Sequence, residues 1–393
     1  MKNLKYYDFT LIIAPILLAG FGLIMIYSSS MVTAIVEGRE STYYLVKQSQ
    51  WFFVSLIAFV CFCLYPYKHY QKLIKFIVFF ILFLLVGVLI FGTTINNAKS
   101  WFALGPVNVQ PAEFAKLGIV LYLASVYSKK QDYINDFSRG VLPPLLLTGL
   151  ILGLIVLQPD IGTAGIVLII ASTVIFSSGI RMRHVFLLSV VVIVTLAIAI
   201  PNMVSDVRIA RFTGAYQPFT APDTDGYHLI QSYLAIGAGG ITGEGLGQSV
   251  QKLGYLMEAH TDFIMAIIAE ELGFIGVIIV IGTLATIVLR GYFIARKCKD
   301  SFGSLIAIGI STMVGIQATV NLGAISGVLP ITGVTLPFIS YGGSSLLVLM
   351  VSMGILNNVA MNVKKEREYD SPMEKQPRQT LQTYQRREKQ WSS

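Results

Sequence analysis

The chain has 393 residues, of which 54% are hydrophobic and only 13% charged, with a mean hydropathy of +0.69. Soluble domains carry about 25% charged residues, so a string of soluble domains is excluded and one polytopic membrane bundle is indicated. The formal net charge of +8 looks like a nucleic-acid signal only until the basic residues are placed along the chain.

A membrane span needs roughly 20 mostly apolar residues. Ten stretches qualify in order: 9–27, 51–65 (starting as early as Leu45), 73–91, 112–127, 141–157, 161–176, 185–200, 263–289, 304–325 and 338–359. The expected fold is therefore all-α, a ten-helix transmembrane domain over 1–363 with a large extracytoplasmic loop at 201–261. The basic start and apolar run of the first stretch look like a signal sequence. It is long enough to span, and no small-x-small cleavage site follows, so it reads as an uncleaved first helix. With ten spans, 22 of the 29 Lys and Arg residues fall on the side of the termini. Arg39, Lys47, Lys99, Arg208, Arg211 and Lys252 fall on the other side, and Lys116 lies within a span. The positive-inside rule then places both termini in the cytoplasm. Cys61, Cys63 and Cys298 show neither a disulfide framework nor metal-ligand spacing. Residues 364–393 are polar, without apolar period, and read as a disordered basic tail.

Polar residues collect at the outer ends of the spans. Three spans begin with an acid there: Glu113 after Pro111, Asp160 after Pro159, and Asp262 after Thr261. Acids and prolines suit any helix start. Three on one face, beside loops of unusual composition, point further. Glu113 and Lys116 are three apart and share a helix face. They read either as an intramembrane ion pair or as an acid beside a phosphate-binding cation. Glu270 and Glu271 lie two turns below Asp262 and are expected to face the bundle interior.

The segment 201–261 is too long for an idle connector. It holds Arg208, Arg211, an amphipathic run from Tyr227 that suits an interfacial helix, and glycine-rich Gly239 to Gly247. Glu258, His260, Thr261 and Asp262 close it. Oxygen ligands here suit magnesium or manganese. Joint coordination by Asp262 and a substrate diphosphate is the more plausible form of such a site.

Six motifs, in order, carry a resemblance: Asn97-Ala-Lys-Ser-Trp-Phe, Val109-Gln-Pro-Ala-Glu-Phe-Ala-Lys, Gln158-Pro-Asp-Ile-Gly-Thr, Gly239 to Ser249, His260-Thr-Asp-Phe-Ile with Glu270-Glu-Leu-Gly, and Ile331 to Ser345. Together they resemble the SEDS family of shape, elongation, division and sporulation proteins, whose members include FtsW and RodA. The stretch Lys252 to Leu256 looks more like the division branch than the elongation branch. Met257 replaces a frequent proline, and Lys99-Ser100 stands where many members have two arginines. The resemblance implies a peptidoglycan glycosyltransferase at the outer face of the cytoplasmic membrane, at the division septum. It implies lipid II, an undecaprenyl-diphosphate-linked disaccharide-pentapeptide, as substrate. A class B penicillin-binding protein and other division proteins would be its partners. Nucleic acid and organic cofactors have no place in it. Asp262 matches the family's essential aspartate.

The residues suit that chemistry on their own terms. A sugar hydroxyl attacking an anomeric carbon needs a base, and a placed carboxylate contributes about 10²–10⁴-fold. A diphosphate leaves as a stable anion and needs neutralising charge. Lys99, Lys116, Arg208, Arg211, Lys252 or a divalent ion could supply it, with Glu113, Gln158, Asp160, Glu258, His260 and Thr261 completing the substrate site. The same polar residues leave open a lipid II flippase, which needs a polar path through the midplane, a noncatalytic division scaffold, and an elongation-type polymerase.

Overall fold

The computed structural model describes residues 4–95, 98–105, 107–131, 136–181, 183, 206–224 and 226–373. Helices dominate: α1 (Phe9–Val36), α2 (Tyr43–Leu64), α3 (Tyr70–Phe91), α4 (Pro111–Lys129), α5 (Leu142–Val156) and α6 (Ile161–Ser177) come first. Then follow α7 (Asp206–Tyr216), α8 (Tyr227–Gly239), α9 (Ile264–Lys297), α10 (Ser301–Ile325) and α11 (Gly343–Met373). By length and composition α1, α2, α3, α5 with its preceding turn, α9, α10 and α11 can each cross a membrane. The apolar α6 is shorter, and α4 carries the charges of Glu113 and Lys116. These nine helices match the predicted spans in order, the seventh span at 185–200 lying outside the described residues.

Three boundaries differ from the sequence reading. Helix α1 continues to Val36, at ~1.5 Å per residue about 42 Å in all, so it rises well past a ~30 Å hydrocarbon core. The last span begins at Gly343 rather than near residue 338. At its other end α11 runs on to Met373, so the disorder expected from residue 364 is corrected for 364–373. That stretch is anchored to the N-terminal segment: Lys364 Nζ donates to the Tyr7 carbonyl at 2.8 Å, and Lys5 pairs with Glu368.

The expectation of a purely helical chain also needs one amendment. Between α3 and α4 lies a small antiparallel sheet, β1 (Thr93–Ile95), β2 (Ala98–Leu104) and β3 (Val107–Val109), in that order. Backbone groups outside a helix still need partners, and this hairpin pair satisfies them locally.

Helices α4, α10 and α11 form the middle of the bundle, whereas α2 and α3 turn Phe53, Ile57, Phe76, Phe79 and Phe83 outward. The segment 326–342, between α10 and α11, has no regular structure beyond turns, yet Leu336, Phe338, Ile339 and Ser340 in it are buried. Irregular backbone at membrane depth is tolerated only inside protein. Gly22 of α1 makes room for it, since a Cβ there would lie 2.7 Å from the Ile339 carbonyl oxygen. Gly162 of α6 does likewise for Thr332 at 2.8 Å.

Helix α9 is interrupted at Gly273 (φ 63°, ψ −162°). The glycine-rich loop after α8 fills the break with main-chain hydrogen bonds. Glu244 and Gly245 N–H donate to the Glu270 and Glu271 carbonyls at 2.9 and 3.0 Å, and Phe274 N–H donates to Gly240 at 3.0 Å. Gly243 and Gly273 have φ of +80° and +63°, and a Cβ on either would strike the facing backbone, so this contact requires glycine.

Candidate active site

Asp262 stands just before the first turn of α9, at the bundle end away from the termini. The preceding turn is built on Glu258, whose φ of 56° is uncommon for a residue with a side chain. Its carbonyl accepts from Thr261 N–H at 3.1 Å and Phe263 N–H at 3.3 Å, and its carboxylate accepts from Thr261 Oγ1 at 2.7 Å.

The segment 331–345 closes on this turn from the other side. Ser340 Oγ donates to the Thr261 carbonyl at 2.6 Å, and Tyr341 N–H donates to the His260 carbonyl at 2.9 Å. Gly333 (φ +72°) faces the acid, and a Cβ on it would stand 3.7 Å from Asp262 Oδ2. Asn321 of α10 donates to the Asp262 carbonyl at 2.8 Å.

Among the described residues the Asp262 carboxylate has no hydrogen-bond or ion-pair partner. Burial pushes it up to about 7; the Glu258 carboxylate adds to this and the Arg211 guanidinium offsets it. A carboxyl tuned near neutrality can accept a proton and give it up again.

His260 is buried, with its ring against Tyr44 (centroids 4.4 Å apart) and Tyr341 (5.6 Å). Burial holds it below its ordinary value, against the pull of Glu258 and Glu37, so it is neutral at pH 7. Tyr44 Oη in turn donates to both Glu37 carboxylate oxygens, at 2.8 and 3.0 Å, and Arg39 pairs with Glu37 at 3.3 Å. The turn between α1 and α2 therefore reaches the site, which nothing in its local pattern announced.

The other expected residues are placed as follows. Glu113 and Lys116 form a buried pair at 2.8 Å, and Lys116 Nζ also donates to Gln317 of α10 at 2.9 Å. Gln317 donates to the Thr335 carbonyl at 3.2 Å, which ties the pair to the same 331–345 segment. Asp160 caps α6 through Thr163 N–H at 3.1 Å and accepts from Gln110 at 2.8 Å. Burial raises its carboxyl, opposed by the Thr163 donors. Gln158 is fully buried and donates to the Leu85 carbonyl of α3. Lys99 binds the last-turn carbonyls of α3, Leu89 and Ile90. Lys252 is buried and bound to Glu271 and Ser28. Arg211 is exposed, and Arg208 lies on the same helix α7.

So the structure brings Glu258, His260, Thr261, Asp262 and Arg211 together and connects Glu113 and Lys116 to them through α10. No contact joins Lys99, Gln158 or Lys252 to that group among the described residues. Sequence reasoning missed Gln317 and Asn321, although two amides one turn apart in an apolar span are a usable signal. Among the described residues no group of three or more His, Cys, Asp or Glu could hold a metal ion.

Comparison with known proteins places this geometry. The family model FTSW_RODA_SPOVE, described as "Cell cycle protein", matches residues 9–365. The chain is 49% identical over 373 residues to the "Probable peptidoglycan glycosyltransferase FtsW" of Bacillus subtilis (strain 168), covering 92% of this chain and 93% of that protein. A solved structure described as "Structural coordination of polymerization and crosslinking by a peptidoglycan synthase complex" superposes with a TM-score of 0.74 at 30% identity, covering 91% of this chain and 98% of the other. Thermus thermophilus RodA superposes with a TM-score of 0.65 at 29% identity, covering 90% and 96%. The six motifs thus pointed to the right place: this multi-pass membrane protein belongs to the FtsW/RodA/SpoVE family of cell cycle proteins.

Proposed function

We propose that the chain polymerises lipid II into glycan strands, with Asp262 as the general base. The observation that carries this reading is the contrast among its acids. Glu113, Asp160, Glu258, Glu270 and Glu271 are all engaged by protein donors, whereas among the described residues the Asp262 carboxylate has none. In the reaction the C4 hydroxyl of one sugar attacks the anomeric carbon of another. The new C–O bond forms as the bond to the lipid diphosphate breaks, and the diphosphate leaves with the bonding electrons. The hydroxyl proton passes to Asp262. Arg211, with Arg208 on the same helix, is the cation best placed to stabilise the departing diphosphate.

A magnesium or manganese ion would be held by Asp262 together with diphosphate oxygens, since the described residues offer no third ligand. It would supply additional neutralisation of the leaving group. The flippase reading loses support because Glu270 and Glu271, its best midplane acids, are bound to the glycine-rich loop and to α1.

The same reading puts the site outside the cytoplasmic membrane, both termini in the cytoplasm, and the protein at the division septum beside a class B penicillin-binding protein. Exposed apolar side chains on the loop, Ile241, Leu246, Leu253 and Met257, suit such a neighbour. Purified protein with lipid II and the crosslinking partner should yield glycan polymer, and Asp262→Asn should yield none while still folding. Polymer from a well-folded Asp262→Asn protein would remove the base. In a cysteine-free background, Asp223→Cys should react with an impermeant thiol reagent in spheroplasts and Arg296→Cys should not; the reverse would overturn the topology.

A further inference from the structure

Helix α10 carries Gln317 and Asn321 in a mostly apolar stretch, each only 1% exposed. Four residues apart, they share one helix face. Each joins two other segments. Gln317 accepts from Lys116 and donates to Thr335. Asn321 Nδ2 donates to the Asp262 carbonyl and to the Val334 carbonyl, both at 2.8 Å.

The second pair of bonds has a geometric consequence. Val334 follows Gly333, the residue that faces the Asp262 carboxylate. One amide therefore holds the main chain of the acid and the main chain opposite it. Among the described residues no hydrogen bond fixes the carboxylate itself, so its position depends on the backbone that carries it. An apolar side chain at 321 would leave the Asp262 carbonyl and the buried Val334 carbonyl without this donor.

We infer that Asn321 is a positioning residue for Asp262, setting the carboxylate at a fixed distance from the segment 331–335, with Gln317 bracing that segment against the Glu113–Lys116 pair. This rests on the glycosyltransferase reading and deepens it. Misplacement by about 1 Å can cost 10²-fold in rate, so the tie acts on turnover and not on substrate affinity.

The test uses the full-length protein with its crosslinking partner and lipid II, comparing Asn321→Ala, Asn321→Asp and Asn321→Ser. Turnover per folded molecule, KM and the pH–rate profile are measured. Asn321→Ala should lower kcat at least tenfold with KM within twofold of wild type. Its acidic midpoint should fall as water reaches the loosened carboxylate. Asn321→Asp has no N–H to donate and adds a negative charge beside Asp262, so its midpoint should rise. A residue that only stabilises the fold would reduce yield and leave both kcat per folded molecule and the midpoint unchanged; that result overturns the inference. So does a loss confined to KM, which would make Asn321 a substrate contact. If Asn321→Ala does not fold, Asn321→Ser, which keeps one donor, decides: intermediate kcat supports the inference and wild-type kcat defeats it. Absence of polymer with the wild-type protein would instead strike the glycosyltransferase reading.

Discussion

Lys252 and Glu271 meet at 2.7 Å with neither side chain reaching solvent. Ser28 of α1 joins them, donating to Glu271 at 2.7 Å and accepting from Lys252 at 2.9 Å. One ion pair thus fastens the glycine-rich loop, α1 and the upper half of α9 together, directly below Asp262. Removing one partner of a buried pair costs about 3–5 kcal/mol, whereas replacing both is often neutral. Lys252→Met should therefore lower the thermal midpoint of the purified protein sharply, and Lys252→Met with Glu271→Leu should restore most of it. A Lys252→Met protein of full stability with weakened lipid II affinity would return Lys252 to the substrate.

The Glu113–Lys116 pair permits the same logic with a different readout. Lys116 is bound on the protein side by Glu113 and Gln317, so its charge is already matched. Either single replacement, Glu113→Gln or Lys116→Met, should fold poorly. The two together should fold and show a KM for lipid II within about threefold of wild type, roughly 0.6 kcal/mol. A well-folded double variant with a much higher KM would assign Lys116 to the diphosphate after all.

What the sequence shows plainly is what local pattern encodes. Apolar runs gave the spans, and Asp262 stood out as one of three acids at the outer ends of spans and within the His260-Thr-Asp-Phe-Ile motif. Long-range partners were not readable. Lys252 looks like a free cation until Glu271 is brought to it from 19 residues away, and the local Glu113–Lys116 pair gives no sign of Gln317, 201 residues on. The docking of Gly240 and Gly243 into the break at Gly273 depends on backbone hydrogen bonds between distant segments, which no periodicity marks. In the sheet at 93–109, β1 and β3 have only three residues each, and the seven of β2, Ala-Lys-Ser-Trp-Phe-Ala-Leu, do not alternate. Residues 364–373 read as a polar tail because the helix there is held by its contacts with the N-terminal segment, not by an apolar face.

Arg211 is exposed, yet its charge opposes the rise in the Asp262 pKa. Arg211→Ala should let that pKa climb further, so the acidic limb of the pH–rate profile should move to higher pH. Because an exposed charge is screened by salt, added salt should move the wild-type profile in the same direction and the Arg211→Ala profile hardly at all. An unchanged midpoint in Arg211→Ala would remove Arg211 from the site.

Asp262 itself should trade stability for activity, and pH should reveal it. Its ordinary value is 3.8 and its folded value about 7, the cause being burial of the charged form. An acid with a raised folded pKa costs nothing below pH 4, where it is protonated in both folded and unfolded chains. The cost grows as pH rises toward 7 and is complete above it. The gap between the two values corresponds to about 4 kcal/mol at most, and a half-buried carboxylate that keeps some water contact should show about 1–3 of that. Asn cannot ionise, so Asp262→Asn should unfold at a higher temperature than wild type at pH 8 and at nearly the same temperature at pH 3.5, below the unfolded pKa. The same variant should make no glycan at either pH. If the two proteins differ in stability by the same amount at both pH values, Asp262 is not held in the charged form at a cost, and its fitness as a base near neutrality needs another explanation.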